Sequence, residues 1–175
     1  MARAAKTVAK TIPGQDALSV RRIAALEGRA ASHPWVGVTP QPAAQRLSLR
    51  APRGSVAALS SALGLSLPTK PKTSAREGSR AALWLGPDEW LVIDTGTEGL
   101  AAALAGVGAF HSAVDVSHRN VGILVAGRGA EATLAAGCPQ DLSPAAFPVG
   151  ACSRTVLAKI EVVIWRTGDD AFRVE

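Results

Sequence analysis

Two short apolar runs, Ala-Ala-Leu-Trp-Leu at 81–85 and Trp-Leu-Val-Ile at 90–93, flank Gly86-Pro87-Asp88-Glu89. Pro87 presets φ at the second position of a tight turn, so the spacing predicts an antiparallel hairpin. The sequence around the hairpin continues it. Gln45-Arg-Leu-Ser-Leu-Arg50 alternates polar and apolar residues, which predicts a half-buried strand. A helix follows over 55–63. Ser55 suits its N-cap, Val56, Leu59 and Leu63 share a face, and Gly64 ends it. Residues 65–79, with Pro68 and Pro71, read as a loop. After the hairpin come a helix over 97–106, with Thr97 as its N-cap, and a strand over 113–116. The order β-α-β-β-α-β is that of a split βαβ, or ferredoxin-like, unit.

The pattern then restarts with a strand over 121–126. A helix over 128–136 follows, with Leu134 inward and Gly137 closing it. Strands over 156–160, 162–165 and 171–174 complete what can be read. The fold class is therefore α+β with antiparallel sheets, and the domain runs over 45–175. A first unit covers about 45–118 and an incomplete second βαββ unit about 119–175. A domain that ends on a bare strand exposes an edge, which either a missing segment or a partner must cover. Residues 1–44 read as an extended or partly disordered basic arm. His33-Pro34, Thr39-Pro40 and Gln41-Pro42 disfavour helix there, although one short helix fits 15–28.

Composition excludes several classes. At 175 residues, 47% hydrophobic and 19% charged, the chain can bury a core like that of other globular domains. The longest nearly uncharged apolar run, 99–110, is shorter than the roughly 20 residues of a membrane span. The basic N-terminus lacks the apolar stretch of a secretory signal. Two cysteines make no disulfide scaffold, and their spacing matches no zinc site. The default location is the cytoplasm.

Charge divides unevenly. Residues 1–80 carry 13 Lys/Arg and 3 Asp/Glu, and residues 81–175 carry 6 and 11. The basic half faces an acidic partner: nucleic acid, a protein surface, or the chain's own acidic half. Its cations are scattered, almost no aromatics lie between them, and no nucleic-acid-binding motif is present, which argues against nucleic acid.

No catalytic constellation emerges. Asp115, Ser117 and His118 are the residue types of a hydrolase triad, but on one strand positions i and i+2 share a face and i+3 points away. Asp115 and Ser117 are expected to bond nearby backbone instead. Cys138 and Cys152 read as buried thiols. Gly127-Arg128-Gly129 opens a helix as a phosphate loop does, yet it lacks the third glycine and the lysine. Trp84 and Trp90 flank the hairpin turn and read as core or interface residues.

Five strings carry a resemblance. Leu67-Pro-Thr-Lys-Pro71, then Ala82-Leu-Trp-Leu-Gly-Pro-Asp-Glu-Trp-Leu-Val92, resemble the γ subunit of heterotetrameric sarcosine oxidase. So do Val114-Asp-Val-Ser-His-Arg119 and Gly137-Cys-Pro-Gln-Asp-Leu142 with Phe147-Pro-Val-Gly150. The second half is also similar to the folate-binding aminomethyltransferase of the glycine cleavage system. There a strand-pair carboxylate contacts tetrahydrofolate. Glu161 falls near that position, but the segment is shorter and folate binding is not carried over to it.

The resemblance implies βαββαβ-type units, as in the aminomethyltransferase-like fold, and a subunit without catalytic, cofactor or metal residues. It implies a complex in which FAD, FMN, NAD and tetrahydrofolate belong to the larger subunits and zinc to the smallest. The chain would pack against the α subunit, with β and δ in the same complex. Trp84, Trp90 and Arg119 are the interface candidates. The alternatives are a free-standing tetrahydrofolate-binding protein and a subunit of a related N-methyl amino acid dehydrogenase.

Overall fold

Alternation along the hairpin determines the layering. In the computed structural model, which describes residues 25–96 and 99–175, the two runs form β5 (Arg80–Gly86) and β6 (Glu89–Asp94). Both strands are covered on both faces. Ala82, Trp90 and Val92 point one way, while Ala81, Leu83, Leu91 and Ile93 point the other. β3 (Gln45–Arg50) pairs beside β6 and points Leu47 and Leu49 to the first side, where the helices α1 (Val56–Leu63) and α2 (Leu100–Leu104) cover them. With β4 (Ser74–Glu77) and β7 (Ser112–Asp115) the sheet runs β4-β5-β6-β3-β7, antiparallel throughout. This is the predicted split βαβ order with one strand added at the β5 edge.

The second face of that sheet meets another. The partner sheet contains β1 (Ala31–His33), β2 (Val36–Pro40), β8 (Ile123–Ala126), β9 (Cys152–Leu157), β10 (Ile160–Gly168) and β11 (Ala171–Val174). Cys152, Val163 and Trp165 pack on Ala81, Leu83, Leu91 and Ile93. Its far face buries Val125, Ile164 and Phe172 under Phe147 and α3 (Ala130–Ala135). The molecule is thus four layers, helix–sheet–sheet–helix. Two sheets packed face to face with helices outside give both apolar faces of each sheet a partner.

Several expectations are corrected. The segment 65–79 is not all loop: β4 pairs with β5 through a two-residue turn at Gly78-Ser79. Residues 31–33 and 36–40 are extended on either side of a turn at Pro34-Trp35, but they form a hairpin in the six-stranded sheet, where β2 pairs with β8. The strand expected over 156–160 spans a turn, since β9 and β10 meet at Ala158-Lys159. The second sheet, ordered β1-β2-β8-β11-β10-β9, is not a truncated copy of the first. A tight turn rather than a helix joins β10 to β11, so β11 inserts between β10 and β8. The bare edge expected at β11 is therefore absent.

Helix α1 ends as predicted. Gly64 takes the left-handed conformation (φ 59°), its N–H reaches the Ser61 carbonyl at 3.2 Å, and the Leu65 N–H reaches the Ser60 carbonyl at 3.1 Å. At the other end Ser55 lies in a 3₁₀ turn, and its hydroxyl makes no capping bond. Thr97 and most of the helix expected over 15–28 lie outside the described residues.

Candidate functional site

The hairpin turn is a structural junction. Glu89 opens β6 and bonds Arg50 of β3 at 2.9 Å and Arg154 of β9, so one carboxylate ties the two sheets together. The hydrogen bond from Arg154 holds the carboxyl below its ordinary range. Burial pushes the other way, and Arg50 adds to the lowering. Trp90 lies directly across from Trp84 in the ladder. Trp90 is only 1% exposed, and its Nε1 donates to the Pro68 carbonyl at 2.7 Å. That removes Trp90 from the interface candidates, because its ring is core. Trp84 is half-buried against the same core. Arg119 is exposed.

The Asp115-Val-Ser-His-Arg119 string ends β7. Asp115 Oδ1 accepts the Ser117 N–H at 2.8 Å, and Ser117 Oγ accepts the Arg46 N–H at 2.9 Å. Bonding to Ser117 holds the Asp115 carboxyl below its ordinary range. Both residues therefore bond backbone, as predicted, and no triad forms. His118 is exposed, and His111 bonds the Ala109 carbonyl through Nδ1 at 2.7 Å.

Main chain fills the glycine loop. The Gly129 N–H donates to the Trp35 carbonyl at 2.8 Å. A Cβ on Gly127 (φ 117°) would come within 2.5 Å of that same oxygen. The two glycines let the β1–β2 hairpin close on α3, where Arg128 stacks 5.0 Å from the Trp35 ring centroid. Cys138 and Cys152 are buried free thiols. Cys152 donates to the Thr73 and Trp84 carbonyls at 3.2 and 3.5 Å, and burial pushes its thiol up to about 11.

Sequence reasoning missed Arg166. Its guanidinium enters the 138–150 segment and donates to the Leu142 and Phe147 carbonyls at 2.9 and 3.1 Å. It also lies 4.8 Å from the Phe172 ring centroid. An arginine inside an apolar strand was the available signal.

An open cleft of about 500 Å³ separates the two sheets at one end. Leu91, Val116 and Val163 line it, with Ser48, Arg119 and Glu161 as polar members. Glu161 stands 3.9 Å from Arg154 on the rim, its side chain mostly in solvent. Among the described residues, no three His, Cys, Asp or Glu side chains are grouped to hold a metal ion. No helix there is long and apolar enough to cross a membrane. These walls are suited to packing, and they pair no nucleophile with a base.

Comparison with known proteins agrees with this architecture. Residues 50–175 match the family model described as sarcosine oxidase, gamma subunit family. The sarcosine oxidase subunit gamma of Arthrobacter sp. is 39% identical over 137 residues, which cover 75% of this chain and 67% of that protein. Its counterpart in Corynebacterium sp. (strain P-1) is 39% identical over 125 residues, 69% of this chain and 61% of that protein. The match thus spans about two thirds of these curated relatives. Among solved structures, a chain of heterotetrameric sarcosine oxidase from Corynebacterium sp. U-96, in complex with pyrrole 2-carboxylate, superposes with a TM-score of 0.77 and 33% identity. That superposition covers 86% of this chain and 80% of that one. Aminomethyltransferase T of the glycine cleavage system from Bartonella henselae shares the fold alone. It is 15% identical, with a TM-score of 0.60 over 80% of this chain and 41% of that one.

Proposed function

The chain belongs to the sarcosine oxidase γ-subunit family, and on that premise we propose that it is the non-catalytic γ subunit of a heterotetrameric amine oxidase. The complex oxidises sarcosine to glycine. Dioxygen takes the two electrons and leaves as hydrogen peroxide. The methyl carbon departs as formaldehyde, or as 5,10-methylenetetrahydrofolate when the folate accepts it. FAD, FMN, NAD and tetrahydrofolate are held by the larger subunits and zinc by the smallest. This chain contributes a folded surface against the α subunit, with β and δ completing the assembly.

One observation carries the reading. Similarity runs from residue 50 to residue 175, through both sheets. Within that span the motif residues are engaged in the fold: Glu89 ties the sheets, Asp115 and Ser117 bond backbone, and Gly127 and Gly129 admit Trp35. A free-standing folate-binding role has less support, because Glu161 sits on the rim beside Arg154 and not in an enclosed pocket.

The test is reconstitution. Co-expressed with the other three subunits, this chain is expected to enter a flavin-containing complex that forms peroxide from sarcosine. Purified alone, it is expected to bind no flavin and turn over nothing. A yellow or sarcosine-oxidising isolated chain would overturn the proposal.

A further inference from the structure

The cleft between the two sheets has the start of the described chain in its wall. Among the described residues its lining is mostly apolar: Leu91, Val116, Leu157, Ile160 and Val163 face it, and Ile160 is 69% exposed. Ala25 and Leu26, the first two described residues, line it as well. Successive Cα atoms lie about 3.8 Å apart, so the chain before Ala25 also begins at this cleft.

The turn at 25–28 specifies what arrives there. Gly28 takes φ 75°, and the Arg29 N–H bonds the Leu26 carbonyl at 3.0 Å. A left-handed glycine just past the last turn is a common helix ending, and it stands where the helix expected over 15–28 stops. The sequence before it fits an apolar cleft. Val20, Ile23 and Leu26 recur every three residues, which puts them on one side of a helix, while Arg21 falls on the other.

We propose that residues 15–24 of this same chain are the occupant of the cleft, docked as the helix that the 25–28 turn ends. Val20 and Ile23 continue the stripe begun by Leu26 and lie on Val116, Ile160 and Val163, and Arg21 faces solvent. The segment is tethered at Ala25, so docking is intramolecular and persists with a small contact area. Closed in this way, the cleft is completed by the chain itself and is no ligand site. The inference stands or falls on the free chain, separately from the subunit reading.

The experiment is a spin label on the full-length chain, read by methyl and amide NMR. Glu161→Cys places a thiol on the cleft rim, where the native side chain is mostly in solvent. Cys138 and Cys152 are buried, so a nitroxide attaches selectively at 161. The methyl signals of Val20 and Ile23 are expected to broaden in the labelled chain and to recover when the nitroxide is reduced. Ile23→Lys, which puts a charge on the apolar stripe, is expected to remove the broadening at Val20. It should also speed exchange of the 18–24 amides at least tenfold. Arg21→Gln is expected to change neither. Sharp Val20 and Ile23 methyls in the labelled chain overturn the proposal, and this reading needs no variant of the segment itself. Exchange of the 18–24 amides as fast in the otherwise native chain as in Ile23→Lys overturns it too. Broadening that appears only on isotope-labelled chains mixed with separately spin-labelled ones assigns the cleft to the segment of a second copy and also overturns it.

Discussion

Glu89 is a turn residue that holds two sheets. Its carboxyl is kept below the ordinary range by Arg154 and Arg50 against the opposing effect of burial. The folded state therefore binds that proton less readily than the unfolded chain. The stabilisation is complete above the unfolded value of about 4.3 and is lost as pH falls through the lower folded value. Glu89→Gln is expected to lower the melting temperature at pH 7 by about 2–4 °C, the shift that ~1 kcal/mol produces in a chain of this size. It should also flatten the acid limb between about pH 5 and 3. Melts at several pH values check both, and an unchanged acid limb would remove Glu89 from the account. Gly127→Ala meets the Trp35 carbonyl and a left-handed backbone together. It should cost about 1–3 kcal/mol in a urea titration. Trp90→Ala should cost about 3–5 kcal/mol, because it empties a core site and orphans the Pro68 carbonyl. The loss should appear in the melting temperature of the free chain, before any assembly step.

At the scale of elements, what was legible had a local physical cause. The β5–β6 hairpin announced itself through Pro87 between two apolar runs, and α1 through its apolar face and Gly64. Gly64→Ala, which places a side chain in the left-handed C-cap, should cost about 1 kcal/mol by chemical denaturation. What was illegible depended on distant partners. β4 reads Ser-Ala-Arg-Glu and has no strand pattern of its own, so pairing with β5 makes it a strand. The β9–β10 turn is Ala158-Lys159, with neither glycine nor proline to mark it, and Ala158 adopts φ 56° while its N–H bonds the Gly137 carbonyl at 2.7 Å. The place of β2 beside β8 is long-range pairing that local sequence does not encode. Trp90 showed the same limit within the candidate site. Its position beside the turn was compatible with core or interface, and the layer formed by α1 and α2 decides for core.

At the scale of the whole molecule, the uneven charge finds part of its partner inside. Arg46, Arg50 and Arg80 of the basic half pair with Glu175, Glu89 and Asp94 of the acidic half. The Arg46–Glu175 pair, at 2.5 Å, is buried on both sides. Breaking one partner of such a pair strands a charge in the interior at a cost of about 3–5 kcal/mol. Glu175→Gln should therefore melt well below wild type, and a melt within a degree would contradict the lock. The charge pattern that suggested an acidic partner is thus partly internal: Arg50–Glu89 and Arg80–Asp94 join neighbouring strands of one sheet, and Arg46–Glu175 joins the two sheets. The surfaces left for another protein are those the fold leaves unpaired. The central claim is that this chain serves as a subunit and is no enzyme by itself. Its most direct test is to co-express the chain with the remaining oxidase subunits, capture it by its own tag, and record an absorbance spectrum and sarcosine-dependent peroxide. The account predicts a yellow, peroxide-forming complex with all activity in the assembly. A solitary colourless protein from that same co-expression would contradict it.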